Sequence, residues 1–372
     1  MCLSESALCF IALLRAGLWE HKCRLSTFNH IDFSEIYRFA KEQAVVGLVT
    51  AGIEHISDVK PPKESVLSFV GETLQMEQHN MAMNDFIGII SRKMHEAGIT
   101  PVLVKGQGIA QCFERPLWRA CGDVDFLFND KNFYSAVEFL APLANNVGEE
   151  EKPHKHLALE IDKWEVELHG TLHSRLWKKL ERVIDSIQYQ VFSEGYTREW
   201  INGDTIVLLP RADEDVIFIF SHILQHFFKE GIGLKQICDW CRLLWTYRGN
   251  IDVQLLQHRL KEAGIMTEWK AFASLAVDVL GMPADAIPFY NPSKRWSRKA
   301  GRILSFILET GNMGHNRDLS YYKKYPYLTR KIISVWRHSH DSLLYLMIFP
   351  WDTVKTWFTM VKYGIKQTIV GK

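Results

Sequence analysis

Two aspartates separated by a single residue are the feature of this sequence most suggestive of chemistry. Asp123 and Asp125 lie in the segment GDVDFLF at 122–128, whose first half alternates polar and apolar residues as a half-buried strand does. Because side chains alternate along a strand, both carboxylates face the same side. Two like charges aimed at one point need a cation between them, and Mg²⁺ accepts such oxygen ligands while also binding substrate phosphates. The pair therefore predicts a divalent metal site.

The segment EVELH supplies a candidate for a third carboxylate. Glu165 and Glu167 alternate with Val166 and Leu168, so both glutamates share one face of a predicted strand. Three acidic side chains on adjacent strands could hold two metal ions, and such a pair can clamp the attacking and leaving oxygens of a phosphoryl displacement. A one-residue change of register would move every side chain to the other face. The residues alone leave open which glutamate approaches the aspartates.

A lysine and a glycine stand before the aspartate pair, at the end of a predicted strand. Lys105 and Gly106 follow the apolar run TPVLV at 100–104 and precede a short possible helix. A glycine at such a turn lets backbone N–H groups approach a phosphate, and a helix N-terminus favours an anion. Lys105 and Arg119 could add positive charge beside the phosphates. This arrangement predicts a phosphate-binding turn next to the metal site.

The surrounding sequence predicts an α+β fold in three parts. Apolar residues at three- and four-residue spacing indicate helices over 35–56 and 63–98. Short apolar or alternating runs follow, and those at 156–161 and 164–169 predict two strands joined by a tight turn. Helical patterns return from residue 212. We therefore predict an N-terminal helical segment at 1–98, a mixed α/β unit at 99–210 and a C-terminal helical domain at 211–372.

The composition of the chain indicates which kinds of ligand and which cellular compartment suit the protein. The chain carries 44 Lys and Arg against 43 Asp and Glu, so its net charge of +1 removes the global argument for a long nucleic-acid ligand. Its 7 scattered cysteines suit a reducing compartment, and we expect a cytoplasmic protein. The apolar runs at 216–228 and 342–351 are shorter than the roughly 20 residues of a membrane span. No transmembrane segment is predicted.

Three segments carry a resemblance to a known family. They are VLVKGQGIAQCFERPLWRACGDVDFLF, EVELH and IFSHILQHFFKEGIGLKQICDWCRLL. Together they resemble the uncharacterised bacterial nucleotidyltransferase family of the polymerase-beta-like superfamily. The pattern of that superfamily is a glycine at a strand-to-helix turn, then hydrophobic-Asp-hydrophobic-Asp-hydrophobic, then an acidic residue on a later strand. The resemblance implies a polymerase-beta-like α/β core with a small mixed sheet, flanked by N-terminal helices and a C-terminal helical bundle.

The resemblance also implies a reaction and a set of site residues. The reaction is transfer of a nucleoside monophosphate from an NTP, ATP or another, to an unknown acceptor with release of pyrophosphate. The near-zero net charge favours a small molecule or a protein as acceptor over a long nucleic acid. By family position, the third carboxylate is Glu167. The implied catalytic and Mg²⁺-binding residues are Asp123, Asp125 and Glu167, and those implied for the triphosphate are Lys105, Gly106, Gln107 and Arg119.

One departure from the pattern keeps two other functions open. Many superfamily members have serine or glycine after the glycine of the turn, and this chain has Gln107, which lacks the small hydroxyl. A catalytically inactive nucleotide-binding or regulatory module of the same fold is therefore an alternative to the transferase. A metal-dependent phosphohydrolase that uses the same carboxylates is another. The oligomeric state is not predicted.

Other chemically active residues are expected to be structural. Cys238 and Cys241 form a C-x-x-C in a helical pattern without a second pair, which is typical of buried helix cysteines. His222 and His226 have a spacing that can bind zinc, but positions in the core or lining a groove are favoured. Structural hydrogen bonds are favoured for His154, His156, His169 and His173, and a position of His169 in the cleft stays open. A C-terminal aromatic stripe, with Lys355, Lys362 and Lys366 beside it, could touch a membrane surface, although core packing is the favoured interpretation. Its members are Tyr345, Phe349, Trp351, Trp357 and Phe358.

Overall fold

The computed structural model describes residues 3–152 and 155–316, followed by residues 324–326, 329, 330, 333, 336, 339, 342, 343 and 345–358. The chain begins with the helices α1 (Glu5–Trp19), α2 (Phe33–Glu42), α3 (Val46–Glu54) and α4 (Lys63–Glu96). The helical pattern over 35–56 corresponds to two helices, because the backbone turns between them at Ala44, whose φ is 54°. The long helix that ends before Gly98 lies where the sequence predicts it.

A mixed five-stranded sheet forms the centre of the α+β fold. Its strands are β1 (Val102–Val104), β2 (Asp123–Leu127), β3 (Asn146–Val147), β4 (His156–Ile161) and β5 (Trp164–His169), in the spatial order β1-β2-β5-β4-β3. Strands β2 and β5 are parallel neighbours, and the other pairs are antiparallel. The register places Asp123 opposite Glu165 and Asp125 opposite Glu167. The two strands that carry the acidic residues are therefore adjacent.

One face of this sheet is buried in a hydrophobic core. Val124 and Phe126 of β2 and Val166 and Leu168 of β5 are buried there. The helices that contribute to the same core are α4 and α6 (Asp130–Leu140). Because successive side chains of a strand point to opposite faces, this burial turns the intervening acidic residues toward the other face. The alternation of apolar and acidic residues is what exposes the carboxylates to a cleft.

Helices and a short hairpin complete the described chain. They are α5 (Gly106–Ala110), α7 (Lys178–Ser193), β6 (Thr197–Asn202), β7 (Thr205–Pro210), α8 (Ala212–Lys229), α9 (Leu234–Thr246), α10 (Val253–Ala263), α11 (Met266–Ser274) and α12 (Lys294–Thr310). Residues of α1, α3, α8 and α9 belong to one hydrophobic cluster, which includes Leu14, Val49, Phe220 and Trp240. The N-terminal and C-terminal helices therefore pack on one another around the sheet. The division into three segments stays a prediction.

The C-terminal aromatic stripe has buried members, exposed members and one half-buried member, Trp357. Tyr345 and Phe349 are buried and pack against the ring of Phe227 on α8. Trp351 and Phe358 are exposed. Lys362 and Lys366, which the sequence places beside the stripe, lie outside the described residues. In the described part of the chain, no helix combines the length and the apolar character that crossing a bilayer requires.

Candidate active site

A cleft lies between the sheet and the helices α8 and α9, and it encloses about 420 Å³. This volume is within the usual range of small-molecule sites. Its lining includes Asp123, Asp125 and Glu167 from the sheet, Lys105, Gly106 and Arg119 from the segments around β2, Asp215, Phe218, Ile219 and His222 from α8, and Lys235, Gln236 and Asp239 from α9. The cleft therefore brings the predicted carboxylates together with several basic side chains.

Three carboxylates converge on one point of this cleft. One oxygen each of Asp123, Asp125 and Glu167 lies within 4.8 Å of the others. Glu165 is exposed at the start of β5 and belongs neither to this group nor to the cleft lining. Although both glutamates occupy the same face of β5, the structure therefore brings Glu167, not Glu165, to the aspartate pair.

Two cationic groups hold the innermost carboxylate. Asp125 is only 2% exposed, and its Oδ1 accepts hydrogen bonds from Lys105 Nζ at 3.0 Å and from His169 Nε2 at 2.7 Å. Burial raises the pKa of Asp125, but the charge of Lys105 and the hydrogen bond from His169 outweigh it and lower this pKa. Burial likewise lowers the pKa of Lys105, and the carboxylates of Asp125 and Glu167 more than restore it. In this structure, the side chains of Lys105 and His169 supply positive charge to the acidic cluster.

The other two carboxylates differ in charge environment. The charge of Asp125 and burial both raise the pKa of Asp123. Burial raises the pKa of Glu167, but its contacts with His156 and His169 outweigh burial and bring this pKa below the usual range. The negative charge of Asp123 is therefore the least compensated by nearby positive groups. A further cation would be stabilised beside Asp123.

The lysine that joins β1 to α5 has an unusual backbone. Lys105 has φ 57° and ψ −144°, a combination that residues with a side chain rarely adopt, and Gly106 follows with φ 39°. This turn directs the Lys105 side chain to Asp125. Gln107 turns away from the cleft, since it is buried and its Nε2 donates to Asn80 Oδ1 on α4 at 2.8 Å. The side chain of Gln107 is therefore part of the core, and Gln107 does not belong to the cleft lining.

The strain at Lys105 can be measured with two variants that both remove the ammonium. Lys105→Gly should exceed Lys105→Ala in free energy of unfolding by about 1–2 kcal/mol, because only glycine adopts this backbone conformation without steric cost. Denaturant unfolding of both variants checks the difference. Equal stability, or a more stable alanine variant, would show that the turn carries no such strain.

Arg119 is fixed by a partner that the sequence does not reveal. Its Nε and Nη2 donate to Asp239 Oδ1 and Oδ2 of α9 at 2.9 and 2.7 Å, and Arg119 is 6% exposed. Burial lowers the pKa of Arg119, and the Asp239 carboxylate raises it further than burial lowers it. The remaining Nη1 is buried and finds no hydrogen-bond partner among the described residues. Arg119 therefore keeps one donor group that no described residue engages.

Lys235 is a further basic residue of the cleft, and unlike Arg119 it was not predicted from the sequence. It stands one helical turn before Asp239 on α9 and lines the cleft. Burial and the charge of Arg119 lower its pKa. The signal in the sequence is the four-residue spacing of Lys235 and Asp239 in KQICD, which places both side chains on one face of a helix. An anion in the cleft would stabilise the charge of both Lys235 and Arg119.

Helix α8 forms the other wall, with cleft residues at three- and four-residue spacing. Asp215 is buried, and burial raises its pKa to about 6 although Arg198 donates to it at 2.8 Å. Burial and the charge of Lys105 bring the pKa of His222 well below its usual value. The rings of His222 and His226 are 4.3 Å apart and line the cleft. Within the described residues, neither belongs to a group that could hold a metal ion.

The other cysteines and histidines singled out in the sequence differ in their distance from this cluster. Cys238 and Cys241 are buried thiols of α9, as predicted. His173 lines the rim of the cleft, and its Nε2 is 2.6 Å from Asp185 Oδ1. His154 lies outside the described residues. His156 and His169 lie beside Glu167 and form a metal-capable group with it, and His169 also makes the expected structural hydrogen bond, to Asp125 Oδ1.

An α+β protein with carboxylates and basic side chains in one cleft can hold a cation beside an anionic ligand. A family model described as uncharacterised nucleotidyltransferase matches residues 29–281. The chain belongs to this family, and the resemblance noted in its sequence is confirmed. The matched range contains every strand of the sheet and helices α8 and α9, and hence the whole carboxylate cluster. No curated protein and no solved structure matches the chain.

Proposed function

We propose that the chain is a metal-dependent nucleotidyltransferase that moves a nucleoside monophosphate from an NTP to an acceptor and releases pyrophosphate. The observation that carries the proposal is the convergence of Asp123, Asp125 and Glu167 within 4.8 Å, in a chain of a nucleotidyltransferase family. A polymerase-beta-like arrangement of the core and Mg²⁺ as the metal belong to the same proposal. The balanced charge of the chain favours a small molecule or a protein as acceptor.

The residues fit a divalent metal ion on their donor chemistry. Carboxylate oxygens are the ligands that Mg²⁺ prefers, and Asp123 and Asp125 share one face of β2 with Glu167 opposite on β5. The raised pKa of Asp123 reflects the charge of Asp125 and burial, which the charges of Lys105 and Lys235 do not offset. When bound, Mg²⁺ would neutralise charge on the phosphates and lower the barrier to displacement. Asp123, Asp125 and Glu167 are the residues proposed to hold it.

The proposed transfer is a displacement at the α-phosphorus of the NTP. The acceptor oxygen or nitrogen forms a bond to that phosphorus while the bond from it to the α–β bridging oxygen breaks. The electron pair of the broken bond leaves with pyrophosphate, and the acceptor proton is released to solvent. Glu167 stays ionised because its pKa is lowered, so it can accept a hydrogen bond from the acceptor hydroxyl or amine and orient it.

Basic side chains on two sides of the cleft are proposed to bind the triphosphate. Arg119 offers Nη1, and Asp239 fixes its guanidinium so that little ordering is required when a ligand binds. Lys235 adds a second positive charge from α9. Lys105 can exchange its contact with Asp125 for a phosphate oxygen once another cation neutralises the carboxylates. The backbone at Gly106 can approach the ligand closely because no side chain intervenes.

Incubation with each of four α-labelled NTPs, Mg²⁺ and a cell extract tests the proposal. Label transferred to a small molecule or protein supports the transferase and identifies both NTP and acceptor class. Tight NTP binding without transfer would replace the proposal by a nucleotide-binding module. Release of free nucleotide or phosphate without an adduct would replace it by a phosphohydrolase.

The two glutamates of β5 provide a matched pair of variants for this assay. Glu167→Gln should reduce transfer by about 100-fold, because it removes one charged ligand of the metal. Glu165→Gln changes the same residue type on the same face of the same strand and should leave transfer unchanged, since Glu165 is exposed and outside the cleft lining. Initial rates at saturating NTP measure both. A larger loss in Glu165→Gln would exchange the roles of the two residues.

A further inference from the structure

We propose that His156, Glu167 and His169 form a second metal subsite in the cleft, one that takes a divalent first-row transition-metal ion. The inference deepens the proposed function and rests on it for one point, that the carboxylate cluster holds the neighbouring ion. Glu167 belongs to both groups of potential ligands, the three-carboxylate group and the His-Glu-His group. It would therefore bridge two ions of different ligand preference.

The strand pairing brings the two imidazoles together. His156 on β4 and His169 on β5 are direct cross-strand partners, and their ring centroids are 5.0 Å apart. Directly opposed residues of antiparallel strands project from the same face. Glu167 lies two residues before His169 and so shares that face. The three side chains therefore converge because of their register and not because of a flexible loop.

The distances from the two imidazoles to Glu167 suit metal coordination better than hydrogen bonding. His156 Nε2 and His169 Nε2 each lie 3.3 Å from the same Oε2 of Glu167. Charge-assisted hydrogen bonds between nitrogen and carboxylate are shorter, about 2.7–2.9 Å. Metal–ligand bonds of about 2.1 Å place two donor atoms about 3.0 Å apart at a right angle and about 3.4 Å apart at the tetrahedral angle. The observed separations fall between these two values.

The donor set selects the class of ion. Mg²⁺ prefers oxygen ligands and keeps several waters, whereas imidazole nitrogen suits Zn²⁺ and other first-row transition metals. Two imidazoles around one carboxylate therefore favour a transition metal at this position. Its binding would displace the proton that His169 Nε2 donates to Asp125 Oδ1 across 2.7 Å. The three-carboxylate group, which includes Asp123, offers only oxygen ligands. That position therefore remains for Mg²⁺.

A second histidine pair in the same cleft serves as an internal comparison. His222 and His226 are one helical turn apart on α8, with rings 4.3 Å apart. His226 Nδ1 contacts Glu230 Oε2 at 3.0 Å, and among the described residues no group of three potential ligands includes this pair. His222→Gln is therefore a matched control, because it removes an imidazole from the cleft but not from the His-Glu-His group.

Pulsed EPR of the full chain with Mn²⁺ tests the subsite directly. We expect ¹⁴N couplings of coordinated imidazole in the spectrum, and we expect these ¹⁴N lines to be replaced when the histidines are labelled with ¹⁵N. This measurement needs no variant and no activity. His156→Gln and His169→Gln should each weaken Mn²⁺ binding about tenfold or more and remove part of the coupling, whereas His222→Gln should change neither. Thermal melts establish that each variant is folded.

The outcomes separate this inference from the proposed function. Two Mn²⁺ ions bound to the folded chain without nitrogen coupling overturn the subsite and leave the histidines as partners of Glu167 and Asp125. Nitrogen coupling in a chain that transfers no nucleotide supports the subsite and contradicts the transferase. Asp125→Asn offers a further check, since nitrogen coupling should persist in it while metal-dependent NTP binding is lost.

Discussion

Asp125→Asn is expected to abolish metal-dependent NTP binding and to lower nucleotidyl transfer by about a thousandfold. Asp125 is the most buried carboxylate of the cluster, and it lies opposite Glu167 on the neighbouring strand. Asparagine preserves the shape of the side chain but removes one of the negative charges that would hold the ion. Charge stabilisation in a site shielded from water contributes several kcal/mol, which corresponds to this loss of rate. Calorimetric titration with an NTP, with and without Mg²⁺, measures the binding.

The fold should survive this substitution. In the native chain, Lys105 and His169 both contact Asp125. After the change, Asp123 and Glu167 still face these two cationic groups, so the local charge remains balanced. Thermal unfolding of Asp125→Asn should therefore resemble that of Glu165→Gln, the exposed control on β5. Unchanged NTP binding in a folded Asp125→Asn would remove Asp125 from the metal site.

Local alternation was sufficient to predict the centre of the site. The spacing of Asp123 and Asp125 places both on one face of β2, and the structure gives the strands 156–161 and 164–169 the bounds that their sequence predicts. The pattern could not decide between Glu165 and Glu167, because both share a face and only packing determines that Glu165 is exposed. The face of a strand on which a residue lies follows from the local periodicity of the sequence. How deeply the residue lies in a cleft depends on the tertiary structure.

Contacts between distant segments account for most of what the sequence did not reveal. Arg119 pairs with Asp239, which is 120 residues away, so no local pattern links them. Lys105 points at Asp125 because of a backbone conformation that sequence patterns do not indicate for lysine. Strand β6 was missed because it is rich in polar residues and one of its apolar residues, Ile201, is exposed. In each case the determining interaction is tertiary.

Replacing Arg119 by methionine is expected to lower the free energy of unfolding by about 3–5 kcal/mol and also to weaken NTP binding. The loss of stability follows because Arg119→Met leaves the Asp239 carboxylate buried without its partner. The loss of binding follows because Arg119 lines the cleft and its Nη1 has no hydrogen-bond partner among the described residues. Denaturant unfolding and calorimetric titration measure the two effects separately.

The double variant Arg119→Met/Asp239→Val separates the structural role of Arg119 from its role in binding. Replacing both members of a buried ion pair by apolar residues often restores stability. We therefore expect the double variant to regain most of the roughly 3–5 kcal/mol of unfolding free energy that Arg119→Met loses. NTP affinity should stay low, because the donor group remains absent. Arg242→Met is the matched control, since Arg242 is a buried arginine of α9, the helix that carries Asp239, and lies outside the cleft lining. It should lose stability without losing affinity. If the double variant recovers NTP affinity together with stability, Arg119 serves the fold alone, and the phosphates must bind at Lys105 and Lys235.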